Sequence, residues 1–171
     1  DYQSLSELTD CLIEKMDNNH VNISLPSLRI DAFSLDVMQK IQDIKKNSLT
    51  FAPEAGTQRL RNVINKGLTK ENILNGSLQA FLGGWNKVKL YFMMGLPTET
   101  YDDITGIADL SEEISELYFA NIPKEKRDGR VMVSASASYF VPKPFTPFQW
   151  APMITPEEFQ KRAYFVKDKF R

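Results

Sequence analysis

Cysteine and histidine are nearly absent from this chain: Cys11 and His20 are the sole examples of each. One thiol excludes an intramolecular disulfide and any multi-cysteine metal site drawn from these 171 residues. His20 has no Cys or His at ligand spacing and reads as a loop residue ahead of a strand. No apolar run reaches the roughly 18 residues that span a bilayer, and no basic-then-apolar leader opens the sequence. The expected compartment is therefore the cytosol, with no membrane partner. Charge of one sign is lacking too. Lys and Arg number 21 against 22 Asp and Glu, a net charge of -1, without the basic excess of a general nucleic-acid binder. No Walker P-loop, GxGxxG turn or Ser/His/Asp arrangement is present.

What is present is material for a core: 42% hydrophobic and 25% charged residues. Leu5, Leu8, Leu12 and Met16 recur at helical spacing, with Cys11 read as a small buried hydrophobe beside them. Val21, Ile23 and Leu25 form a short strand, 21–25. Ser34 caps a helix with Leu35, Met38, Ile41 and Ile44 inward. A second strand covers 48–52, with PEAG as the loop after it. Helices follow from Thr57, burying Leu60, Val63 and Ile64, and from Thr69, burying Ile73, Leu74, Leu78, Phe81 and Leu82. Gly83 and Gly84 end the latter. VKLYFMM, 88–94, is almost continuously apolar and reads as a parallel strand covered on both faces. Thr100 and Asp103 fit a capping box, and the helix behind them buries Ile104, Ile107, Leu110, Ile114 and Leu117. Its outer face carries Asp102, Asp103, Asp109, Glu112, Glu113 and Glu116, a solvated surface or an acidic interaction platform. A fourth strand runs over 130–138, and Thr155, Pro156 and Glu158 start a last helix.

Strands near 21, 49, 88 and 131 separated by helices make βα repeats, hence a parallel α/β sheet. Four strands are too few to close an eight-stranded barrel. The chain reads as one domain, either a small open sheet or four strands of a partial TIM-like barrel whose first strands lie upstream. In the second case the strand at 21–25 has an unpaired edge, a site for self-association.

Ligands of parallel α/β folds bind at the carboxyl ends of the strands. Four loops qualify. In PSLRID, Ser27 lies beside Arg29, which suits a carboxylate or phosphate but also a surface pair with Asp31. In APEAGTQRLR, Glu54 suits the vicinal hydroxyls of a ribose, Gly56 permits a tight turn, and Arg59 or Arg61 suits a second anionic group of the same ligand. A capped helix beside a solvated acid is the plainer reading. In MMGLPTET, Gly95 lets backbone approach a flat base, or simply turns the chain. YFVPKPFTPFQW is stiff and apolar, fit to cap a pocket, bind a partner or cover a sheet edge.

Taken in order, SLPSLRIDAFS, LTFAPEAGTQRLRNVINKGLT, KLYFMMGLPTETYDDI and FVPKPFTPFQW resemble successive strand ends of radical S-adenosylmethionine (SAM) enzymes, over about residues 20 to 150. The resemblance is nearest to uncharacterised members with an upstream cobalamin-binding domain. It implies a partial (βα)6 barrel holding a 4Fe-4S cluster and SAM, reductive cleavage of SAM to a deoxyadenosyl radical, and cobalamin by analogy. It implies Glu54 at the ribose, Arg59 or Arg61 at the methionine carboxylate, and Ser27 and Arg29 at the same end. Met93 and Gly95 would meet adenine through backbone, and Phe140 and Val141 would lie near its ring. The family's CxxxCxxC segment and the Gly-Gly-Glu end of its second strand are missing. The expectation is a carboxyl-side part of such a core, retaining SAM contacts but inactive by itself, acting on an unknown substrate. The competing expectation is a free-standing nucleotide- or partner-binding module using 52–61 and 139–150.

Overall fold

A computed structural model describes residues 4–16, 48–127 and 129–170. Its elements are α1 (Leu5–Met16), β1 (Leu49–Glu54), α2 (Gln58–Val63), α3 (Lys70–Leu82), β2 (Lys87–Met94), α4 (Tyr101–Asn121), a 3-10 turn (Lys124–Lys126), β3 (Met132–Tyr139) and α5 (Pro156–Lys169). The strands form a three-stranded parallel sheet in the order β1-β2-β3. The fold is α/β. The expected strand at 21–25, the helix after Ser34, and the residues His20, Ser27 and Arg29 all lie outside the described residues, as does the proposed pairing edge.

Helix starts follow local chemistry. The Thr57, Thr69 and Thr155 hydroxyls accept from the backbone N–H of Leu60, Asn72 and Glu158 at 3.2, 3.1 and 3.2 Å. Each satisfies a donor that the helix itself leaves unpaired. Pro156 stands where its missing N–H costs nothing.

The central strand differs from its sequence reading. Val88, Leu90, Phe92 and Met94 are buried, and they join Phe51 of β1, Ile73 and Phe81 of α3, and Ile104, Ile107 and Ile114 of α4 in the main core. The alternate residues do not. Lys87 and Tyr91 are exposed, and Lys89 and Met93 are half-buried. Among the described residues β2 is thus packed on one face, and its first five residues, K-V-K-L-Y, already alternate polar with apolar. Other expectations shift as well. Cys11 is exposed, as is Leu8 beside it. Val63 and Leu82 also face solvent, at the ends of their helices.

β1 runs two residues further than expected, through Pro53 and Glu54. Phe51 pairs with Leu90 and Glu54 with Phe92, so β1 holds one residue more than β2 between those pairs. Pro53 has no N–H to give the ladder, and the register shifts where it stands. No described helix is long and apolar enough to cross a membrane.

Candidate ligand-binding site at the carboxyl ends of the strands

The bulge sets up the site. Beyond Pro53, Glu54 takes a left-handed backbone, φ 68°, a conformation costly for a residue with a Cβ. Its half-buried carboxylate receives Lys66 Nζ at 3.2 Å. The register puts the ends of β2 and β3 beside it, since Glu54 pairs with Phe92 and Met94 with Tyr139. Phe140 N–H then donates to Met94 O at 2.9 Å, carrying the ladder one residue past β3. Glu54, Met93, Gly95 and Phe140 therefore share one end of the sheet. Val141 follows, half-exposed. A small apolar cluster lies there: Ala55, Leu60, Leu96 and Phe140, with Met93, Phe148 and Ala151 packed against it.

The loop after Glu54 is held against α4 by close approach and by charge. A Cβ on Gly56 would collide with Asp103 O and Ile107 N, so only glycine fits. This contact, rather than a tight turn, is what Gly56 serves. Asp103 is 2% exposed, not on the solvated face where helical patterning puts it. It accepts Thr100 N–H at 2.8 Å and the Thr100 hydroxyl at 2.9 Å, the helix-capping role. It also accepts the Thr57 hydroxyl and pairs with the Arg59 guanidinium. Burial pushes its carboxyl up, but hydrogen bonds from Arg59, Thr57 and Thr100 more than offset this and bring the pKa down to about 2.

The two arginines have opposite fates. Arg61 is 1% exposed, and its guanidinium donates to Ala55 O, Gly56 O and Leu68 O at 2.9, 3.1 and 3.2 Å and to Gln58 Oε1 at 3.2 Å. Its donors are turned to the protein's own oxygens, which corrects the expectation that it faces a ligand carboxylate. Arg59 is half-exposed and donates to Thr98 O at 2.8 Å as well as to Asp103. Of the pair, Arg59 alone has solvent access at the strand ends.

Gly95 also differs from expectation. Its backbone is left-handed, φ 87°, but Ile154 occupies the space beside it, 2.8 Å from a would-be Cβ. Its N–H donates to Glu99 Oε2 at 2.8 Å. Glu99 in turn receives Arg162 Nη1 of α5 at 2.6 Å, and Arg162 Nε donates to Glu158 at 2.8 Å. Burial raises the Glu99 pKa, against the pull of the Gly95 N–H and Arg162. Glu99 and Arg162 carry no mark in the sequence analysis, and the burial of Asp103 against Thr57 and Arg59 goes beyond its capping role there. The capping box pointed to Asp103, whereas no local pattern marks Arg162.

Among the described residues no group of three or more His, Cys, Asp and Glu side chains could hold a metal ion. The residues present do not fit an iron–sulfur cluster, because Cys11 is the one thiolate available and α1 carries it alone.

No family model matches the chain. An uncharacterised protein of Methanocaldococcus jannaschii is 38% identical over 149 residues, which cover 87% of this chain and 29% of that relative. The chain thus spans less than a third of the length of the relative it matches.

Proposed function

We propose that the chain is the carboxyl-side part of a radical SAM core, in which β1, β2 and β3 are strands of a partial TIM-like barrel. Its strand ends bind the adenosyl portion of SAM. The cluster-binding thiolates come from the rest of the protein, and no step involving the cluster is assigned to these residues. The observation that carries the reading is Glu54: a carboxylate held in a left-handed backbone at the bulged end of a parallel strand. Backbone strain of this kind costs about 1 kcal/mol or more and concentrates where a side chain must be aimed. From there the carboxylate, paired with Lys66, suits two vicinal ribose hydroxyls. Phe140 and Met93 supply apolar surface for a flat ring beside it. Arg59 offers a cation on the same side, while Arg61 acts through the loop it braces.

Amide NMR spectra of the 171-residue chain titrated with S-adenosylhomocysteine test this. Saturable shifts are expected at 54–56, 93–96 and 140. Glu54→Gly, relieved of strain, should leave stability unchanged or raise it by up to about 1 kcal/mol while weakening binding about tenfold or more. Equal binding by wild type and Glu54→Gly, or no shift at millimolar ligand, overturns the reading.

A second reading, a partner-binding module, is favoured by the 141–153 segment. There Phe145 is 98% and Trp150 89% exposed. Loss of a co-purifying partner on replacing both, with adenosyl binding absent, would favour that reading.

A further inference from the structure

The face of the sheet turned away from α3 and α4 has a chemistry of its own. Lys89 of β2 pairs with Thr50 of β1 and Ser134 of β3, and Tyr91 pairs with Ser136. Paired residues of parallel strands share a face, so these side chains converge on one side. Lys89, Thr50, Ser134 and Ser136 are half-buried, and Tyr91 is 41% exposed. The Lys89 ammonium sits 4.9 Å from the centre of the Tyr91 ring, which holds it over the middle of the sheet. Among the described residues no acid pairs with Lys89; the ion pairs engage Arg59, Lys66, Lys70 and Arg162 instead. Short of Glu54, which Lys66 already neutralises, β1, β2 and β3 contain no Asp or Glu. Among the described residues of this face, a half-buried cation is flanked on the neighbouring strands by hydroxyl-bearing residues and by no carboxylate, a complement to an oxyanion.

We propose that this face binds the phosphate or carboxylate group of a small-molecule ligand, with Lys89 as its charge partner and Tyr91, Ser134 and Ser136 as neutral donors. Lys89 and Met93 lie on the same face, four residues and so roughly 13 Å apart along β2. A metabolite-sized molecule anchored by its anion at Lys89 reaches the carboxyl ends of the strands with its other end. The identity of that molecule as the radical SAM substrate rests on the function proposed above; the anion site itself does not.

The test is an amide NMR titration of the 171-residue chain with inorganic phosphate and, separately, with succinate, at constant ionic strength set by sodium chloride. Saturable shifts are expected within 88–92 and 134–137. Lys89→Gln should raise the apparent Kd about tenfold, and Lys89→Arg, which keeps the charge, should stay within about threefold of wild type. Preference for phosphate assigns a phosphorylated ligand, and preference for succinate a carboxylate. Shifts matched by sodium chloride alone, or unchanged in Lys89→Gln, overturn the proposal. S-adenosylhomocysteine shifts at 54–56 and 93–96 should survive Lys89→Gln, so failure of the anion site and failure of the SAM reading give different spectra.

Discussion

The loop that joins β1 to α2 and the segment 141–153 that follows β3 are both irregular, and they solve the problem of irregular backbone in opposite ways. The first is buried against α4. Its backbone passes so close that Gly56 admits no side chain, and Arg61 and Asp103 collect its oxygens and hydroxyls until no described buried side-chain nitrogen or oxygen lacks a hydrogen bond. The second is stiffened by Pro142, Pro144 and Pro147, while Phe145 and Trp150 remain in solvent. Burial forces polar satisfaction on a loop, whereas exposure asks only for restricted dihedrals. The buried loop fixes Glu54 and Arg59 in place, and the exposed one contributes Phe148 and Ala151 to the apolar cluster around Phe140 beside them.

Gly56→Ala breaks the comparison hardest. Its new methyl meets α4 backbone, which cannot rotate away, so a loss of about 3 kcal/mol is expected in urea denaturation. A loss under about 1 kcal/mol would mean the loop yields as easily as an exposed one.

Asp103 gives the next effect, and its sign is set by its depressed pKa. The native carboxyl titrates at about 2 against an ordinary 3.8, so its stabilisation is present above pH 3.8 and is lost as pH falls through 2. That contribution is on the order of 2 kcal/mol. Asp103→Asn removes it, so the gap in unfolding free energy between variant and wild type should be full at pH 6 and narrow toward pH 2. Glu99, raised by burial, works the other way: its cost appears as pH climbs past the usual carboxylate range. A gap that stays constant with pH would assign the stabilisation to shape instead of charge.

The smallest effect is expected in the exposed segment. Replacing Phe145 and Trp150 by Ser should move stability by no more than about 0.5 kcal/mol. A loss of about 2 kcal/mol would mean these rings are packed in solution and would erase the contrast.

Legibility in sequence follows the range of the interactions involved. The starts of α2, α3 and α5 were readable because each cap is a Thr bonded to an N–H three residues on. β1 and β3 were found within a few residues because β-branched and small residues end at turn signals. The one-sided packing of β2 among the described residues is less legible: hydropathy averaged over VKLYFMM hides the Lys and Tyr positions that alternate through it. The sequence puts Glu54 in the loop just past a strand, where it is instead the last residue of β1, and its left-handed backbone depends on the bulge at Pro53, a feature of pairing with β2. Arg59 and Arg61 could not be told apart, because α2 is short and the oxygens that claim Arg61 lie in the flanking loops. Asp103 was read as both cap and solvated acid; its partners Thr57 and Arg59 are more than forty residues away. Ile154, which fills the space at Gly95, is equally remote in sequence.

The Arg61 clamp carries one more implication. It ties carbonyls at positions 55, 56 and 68 within a stretch of fourteen residues, so closing it takes little chain entropy and needs no distant partner. The stretch from Ala55 to Leu68 is in effect a prefabricated part: it can acquire its shape early in folding and, once docked, should open as one piece in native-state hydrogen exchange instead of fraying residue by residue.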